Sequence, residues 1–282
     1  MNYKILTYDD FDDIVDISRN IWDGNDYLPK VFNKWVDDKE GCFIGVVKDN
    51  KVVAVGKYTI LPDGQGWLEG FRVHVDYRGQ QLGHAISDML FNLAREDLRN
   101  SKITNIAMCT HIDTPASIKM MKAKNFYLAQ SCLVSFKDYD SIKKSNLNLS
   151  DFEVKKWHIS YEDFKNLDYF KSCNNKLTYG FTFLNICETV FNDLVQSDSL
   201  LVINGHKCIV KSKGCISITC IDNTFEGIND ATNYSLLKCK LKEAEIYINN
   251  PYDNLIRNLK ENNFKSLSNF KNDCVYYVYE EK

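Results

Sequence analysis

Along the first half of the chain the spacing of apolar residues switches between a period of two and a period of three to four, the marks of half-buried strands and amphipathic helices. YKILT (3–7) reads as a short strand. YDDFDDIVDISRNIW (8–22) reads as a helix, with Phe11, Ile14, Val15 and Ile17 at helical intervals behind acidic residues that suit a helix N-terminus. A Gly24-Asn25 turn leads into a second helix with Leu28, Val31, Phe32 and Trp35 on one side. GCFIGVVKD and KVVAVGKYTIL, parted at Asp49-Asn50, predict a hairpin, and GQGWLEGFRVHV a third strand in succession. A helix from Gln81 carries Leu82, Ile86, Met89, Leu90 and Leu93 on one face. ITNIAMCTHI returns as a strand, TPASIKMMKAKNF as a helix with Pro115 in its first turn, and AQSCLVSF as a closing strand. The predicted order is β-α-α-β-β-β-α-β-α-β.

Residues 137–151 (KDYDSIKKSNLNLSD) turn hydrophilic and lose this periodicity, as a connection between domains does, so the chain divides into residues 1–140 and 151–282. The second part predicts a strand at FEVKKWHI, a helix from Tyr161, a hairpin in LLVINGHKCIVKSKGCISITCI, a helix around NYSLLKCKLKEA, a strand EIYIN, a helix PYDNLIRNLKENNF and a last strand CVYYVYE. KAKNF (122–126) and KENNF (260–264) each end a helix set between two β-runs, which suggests a degenerate repeat.

Composition narrows the function classes. With 282 residues and 44% hydrophobic content there is material for two cores. The 35 basic and 38 acidic residues nearly cancel and form no basic run, which argues against nucleic acid or an anionic membrane as partner. No apolar stretch is long enough to span a bilayer and the N-terminus has no signal pattern, so a cytoplasmic protein is expected. Ten cysteines, without a CxxC pair or zinc spacing, read as reduced thiols mostly in the core, with no metal site.

The chemistry concentrates at VDYRGQQLGH (75–84), where a strand gives way to a helix. The N–H groups of a helix's first turn have no internal partner, and with the positive end of the macrodipole they form an anion site. Gly79 frees the loop's backbone, Gly83 removes a side chain where a ligand or the preceding strand would press, and Arg78 adds a fixed charge. The same short pattern also serves a tight turn with a surface arginine.

The element order and FRVHVDYRGQQLGHAI resemble the GCN5-related N-acetyltransferase (GNAT) family, whose hallmark R/Q-x-x-G-x-G/A follows its fourth strand; Gln81 stands at the usual middle glycine. The resemblance covers residues 1 to about 140. It implies an α/β (α+β) acyl-CoA N-acyltransferase fold, a mixed central sheet flanked by helices, with acetyl-CoA as cosubstrate. Its pyrophosphate would be held by Arg78, Gly79, Gln80, Gln81, Leu82, Gly83 and His84, and its pantetheine arm by Phe71, Arg72, Val73, His74 and Val75; Thr114, in the place of the family's asparagine, joins the cofactor residues. Asp-Tyr-Leu-Pro (26–29) followed by Phe32 and Trp35 resembles the histidine N-acetyltransferase-like branch, whose members carry a shorter GNAT-like second half. Asp26 and Tyr27, with Asp23, would then hold an amine or amino-acid acceptor; a helix cap and hydrophobic wedge explain them equally.

An amine attacks a thioester only when neutral, so a base is required. Glu69 occupies the place of the glutamate in the family's polyamine acetyltransferases, and beside Trp67 and Phe71 its pKa should be raised. Side chains two apart share a face, which sets Glu69 with Phe71. His111, at a strand end, is the second catalytic candidate, as a proton shuttle or as a structural histidine. Met121 stands where the family often has the tyrosine that protonates the thiolate, which leaves direct transfer by positioning. The implied function is acetyl transfer to a small amine or amino acid. The alternative is a CoA-binding or assembly module without turnover. CISITCIDNTFEGIND in the second half lacks the arginine and paired glycines, so a single cofactor site is expected.

Overall fold

Three apolar runs between Cys42 and Val73 pair as consecutive antiparallel strands because each buries both of its faces against helices. In the computed structural model, which describes residues 1–143, 145–212 and 214–281, they form a sheet with two further strands. The elements of the first unit are β1 (Asn2–Ile5), α1 (Phe11–Ser18), α2 (Leu28–Asp37), β2 (Cys42–Lys48), β3 (Lys51–Ile60), β4 (Gly66–Val73), α3 (Leu82–Arg99) and the start of β5 (Ile106–His111). Their order across the sheet is that of the chain, antiparallel throughout except for the parallel pair β4–β5. Helices α1 and α2 pack Ile14, Ile17, Leu28, Phe32 and Trp35 onto Phe43, Val52 and Val55. On the other face α3 lies so close to β3 that a Cβ on Gly56 would meet Ile86 at 2.6 Å and Leu90 at 2.8 Å. Helix α1 ends at Ser18, earlier than the periodicity predicts, and leaves Phe11 and Val15 exposed; Trp22 and Asp23 then take left-handed backbone conformations.

The chain groups into two compact units. One holds residues 1–108, 120–127 and those from Val278 onward; the other holds 109–119 and 128–277. Helix α4 (Pro115–Ala123) begins in the second and ends in the first. The hydrophilic segment 137–151 therefore belongs to the second unit: it ends β6 (Tyr127–Asp138) and forms α5 (Tyr139–Lys143) and a short 3-10 turn. Lys144 in that segment and Lys213 in the expected hairpin lie outside the described residues.

The second unit continues with β7 (Val154–Lys156), α6 (Tyr161–Lys165), α7 (Asp168–Ser172), β8 (Lys176–Tyr179), β9 (Thr182–Asn185), α8 (Glu188–Gln196), β10 (Leu200–Ile203), β11 (His206–Lys211), β12 (Ile216–Cys220), α9 (Phe225–Cys239), β13 (Glu243–Ile248), α10 (Asp253–Glu261), β14 (Lys265–Ser266) and most of β15 (Cys274–Tyr279). Its sheet runs β7-β10-β11-β12-β13, antiparallel except for the parallel pair β12–β13, with α9 after β12 as α3 follows β4. The weak echo in the sequence thus corresponds to a repeated topology. β6, which closes the first run of elements in chain order, pairs antiparallel with β13. The expected hairpin at 200–221 is three strands, and the hairpin β8–β9 and helix α8 were not foreseen. Helix α9 starts well before NYSLL because Thr224 caps it and because its buried face is carried partly by Thr232, Asn233 and Ser235, which dilute the apolar period.

Candidate active site

Lys57 on β3 faces Glu69 on β4, whereas two residues back Val55 faces Arg72: β4 carries one residue more than β3 in this interval. The extra residue is a bulge at Gly70, whose φ of 67° lies in the left-handed region and where a Cβ would strike the Trp35 ring at 2.5 Å. The bulge sets Glu69 and Arg72, three apart, on the face covered by α1 and α2. It turns Phe71 to the α3 face, where its ring approaches Gly56 along with Ile86 and Leu90. The alternation expected to join Glu69 with Phe71 is broken here. A glycine inside a strand run was the signal for it.

Glu69 accepts a 2.6 Å hydrogen bond from Thr59 on Oε1, and burial pushes its pKa above the ordinary carboxylate value despite that bond and the charge of Lys57. Lys57 is fully buried, paired with Asp38 and bonded to the Tyr58 carbonyl at 2.6 Å. Arg72 donates to both carboxylate oxygens of Asp26, at 3.0 and 2.9 Å, and its guanidinium lies 5.0 and 5.2 Å from the centres of the Trp22 and Tyr27 rings, which stack on one another at 6.1 Å. Such a bidentate pair is geometrically rigid. Asp26 is thereby engaged within the protein, while Tyr27, its phenol pushed up to about 12 by burial, and the exposed Trp22 line this face beside it. Asp23 is exposed on the left-handed turn.

β4 and β5 pair only at Gly66–Ile106 and Trp67–Ala107, so from Leu68 to Val73 the β4 edge away from β3 has no ladder partner in β5. The extended backbone ends at Val73. His74, whose N–H bonds the Val53 carbonyl and whose ring meets Asp16 at 3.2 Å, leads into a 3-10 turn beginning at Val75, so the stretch expected to be extended through Val75 is two residues shorter. Arg78, Gly79, Gln80, Gln81 and His84 are exposed, and Leu82 is the buried anchor of the loop. Gly79 has φ of 78° with open space where a Cβ would stand. Gln81, the N-cap of α3, is itself left-handed and makes no side-chain cap, and no acidic residue lies in the first turn. The N–H groups at the start of α3 are therefore left for an outside acceptor. A Cβ on Gly83 would touch only Val73, at 3.6 Å, an ordinary contact, so the preceding strand does not require this glycine.

The corresponding β12–α9 junction is closed by its own side chains. Thr224 caps α9 through the Gly227 N–H at 3.2 Å, Glu226 stands in the first turn, and Asp222 accepts from Cys220 and pairs with His206. Negative charge and a filled cap replace the open N–H groups.

His111 and Thr114 belong to the second unit, where the Thr114 hydroxyl bonds the His111 carbonyl and meets Thr110 Oγ1 at 2.6 Å. The Asp113 N–H donates to His111 Nδ1 at 3.2 Å. Nε2 faces Ser268 Oγ at 3.2 Å and the buried Asp273 carboxylate at 3.5 Å, so the neutral ring carries its hydrogen on Nε2. Met121 is buried. All ten cysteines are free thiols; five are buried and Cys215 is exposed. Among the described residues no cluster of three metal-ligating side chains occurs, and no helix is long and apolar enough to cross a membrane.

Residues 9–126 match the acetyltransferase (GNAT) family. A histidine N-acetyltransferase of Oreochromis niloticus is 30% identical over 110 residues, 39% of this chain and 31% of that protein. Another from Scomber australasicus is 26% identical over 151 residues, 53% of this chain and 44% of that protein. The matched segments thus span less than half the length of these curated relatives. The crystal structure of a GCN5-related N-acetyltransferase from Sphaerobacter thermophilus aligns with 99% of this chain and 95% of its own at a TM-score of 0.63 and 9% identity, a likeness of fold alone. The mixed sheet flanked by helices, the glycine-bearing β4–α3 loop and the match over residues 9–126 together mark the first part of this chain as a GNAT acetyltransferase domain.

Proposed function

We propose that the protein transfers the acetyl group of acetyl-CoA to the amine of a small molecule or amino acid. The observation that carries this reading is the β4–α3 junction, with an uncapped helix start free of carboxylates, Gly79 and Gln81 in left-handed conformations, and an upstream strand edge left without a β5 partner. These residues fit acetyl-CoA. The N–H groups of residues 79–84, with Arg78, suit a pyrophosphate, and the open edge of β4 suits the amides of a pantetheine arm. When bound, acetyl-CoA supplies an activated acetyl thioester.

Glu69 is the proposed base. Burial raises its pKa above the ordinary carboxylate value, which makes it a stronger proton acceptor for the proton that the acceptor ammonium must lose. A proton shuttle through His111 requires its ring to release Asp113 or Ser268, whereas Glu69 can accept on Oε2 while Oε1 keeps its bond from Thr59. Tyr27 and Trp22 wall the acceptor face, with Asp26 acting through Arg72. The histidine N-acetyltransferases among the relatives favour an amino acid as acceptor. The buried methionine at position 121 is what keeps the non-catalytic reading in view. A thiol-release assay with acetyl-CoA against amino acids, polyamines and amino sugars decides between them: acceptor-dependent release is expected, and its absence with every acceptor, alongside intact CoA binding, establishes the binding module instead.

A further inference from the structure

Trp22 is a bulky residue held in a left-handed backbone conformation, with φ of 47°, and 61% of it is exposed. That conformation is unfavourable for any residue with a side chain, and it persists only where the surroundings hold it. Here the surroundings are a stack. The Trp22 ring lies 6.1 Å from that of Tyr27 with the two planes 28° apart, and the Arg72 guanidinium sits over both, itself clamped by Asp26. The line of rings continues inward: Tyr27 meets Trp35 edge-on at 6.1 Å, and Trp35 is buried against Gly70, the neighbour of Glu69. The register agrees, since Arg72 and Glu69 stand opposite Val55 and Lys57, two residues apart on β3, and so share this face. Trp22 is thus the exposed end of a fixed aromatic path that leads to the strand position beside the proposed base.

Arg72 already supplies the cation that an indole face attracts, so what the rest of the ring offers is flat apolar area for another ring. Resting on the acetyltransferase reading above, we infer that Trp22 is a specificity residue that stacks on the aromatic side chain of an amino-acid acceptor whose amine lies at Glu69. Acceptors with a small aliphatic side chain enter the same site without that contact. Because Trp22 stands mostly in water, its truncation opens no cavity in the core.

The test compares L-histidine and L-phenylalanine with L-alanine, at a pH where imidazole is neutral, in the full-length protein and in Trp22→Phe and Trp22→Ala. The expected result is a lower KM for the two aromatic acceptors in the parent and a rise in that KM of about three- to ten-fold in Trp22→Ala, as for loss of one aromatic pair, with kcat little changed. Trp22→Phe should restore most of the loss, and alanine should keep its kcat/KM in both variants. An unchanged KM for the aromatic acceptors in Trp22→Ala, an equal loss for alanine, or a parent that does not prefer aromatic acceptors overturns the inference while leaving acetyl transfer standing. Absence of release with every acceptor in the parent overturns both.

Discussion

At Glu69 a single carboxyl couples stability to the proposed chemistry. Its pKa is raised in the folded state, so between the unfolded value near about 4.3 and the folded one the native protein holds a proton that the unfolded chain has lost. Stability therefore falls as pH rises through this window and stays lower above it. Glu69→Gln should match or exceed the parent in thermal stability at neutral pH, while turnover drops by about 10²–10⁴-fold with CoA affinity retained. Parallel melting and kinetics at neutral pH check this, and near-normal turnover would move the base elsewhere. In the parent, kcat/KM should fall on the acid side at a pH above the ordinary carboxylate range. Gly83 invites a separate test. Alanine has room there, so Gly83→Ala should fold and bind CoA, whereas a bulky residue should leave the fold intact and abolish thermal stabilisation by CoA. Stabilisation undiminished by the bulky residue removes the loop from the cofactor site.

The element that carries the proposed site is the bulged β4. Without the extra residue, Glu69 and Arg72 would point to opposite faces, since three is an odd number of steps along a strand. Gly70→Ala meets two penalties at once, a left-handed backbone worth about 1–2 kcal/mol and a clash with Trp35. It should lower the melting temperature and reduce turnover beyond the loss of folded protein, because relief of the clash shifts Glu69. Retained stability with normal activity would show that the bulge is dispensable. The two strand-to-helix junctions make the same point by contrast. α3 opens on an uncapped left-handed Gln81, α9 on a side-chain cap beside two carboxylates, and titration of the full chain should yield one CoA equivalent rather than two.

At the scale of the whole molecule, the C-terminal residues belong to the first unit. Glu281 pairs with Arg95 and Arg99 on α3, and Tyr279 packs edge-on against Phe91 and beside Phe126. A fragment of residues 1–145 lacks these contacts and leaves Phe91 and Phe126 uncovered, so it should be poorly soluble or melt well below the full chain. Truncation after Tyr277 tests this more gently: the melting temperature should fall, although only a short terminal tail is removed. A fragment 1–145 as stable as the full chain would show that the terminus is an ornament.

Read alone, the amino-acid sequence carries the succession of elements in the first half and the glycine-bearing strand-to-helix junction at 78–84, because strong apolar periods and glycines at such a junction act locally. It also held the repeat, faintly, in KENNF. It could not set the face on which Arg72 stands, since one inserted residue inverts every later side chain of a strand and only pairing with β3 reveals it. Nor could it show that Asp26 is bound by a residue 46 positions away, or that β6 pairs with β13 and Glu281 with α3, because those contacts depend on which distant segments meet. In α9 the buried face is partly polar, so its period is visible only once its neighbours are in place. Local periodicity fixes elements; registers, ion pairs and strand partners are properties of the assembled chain.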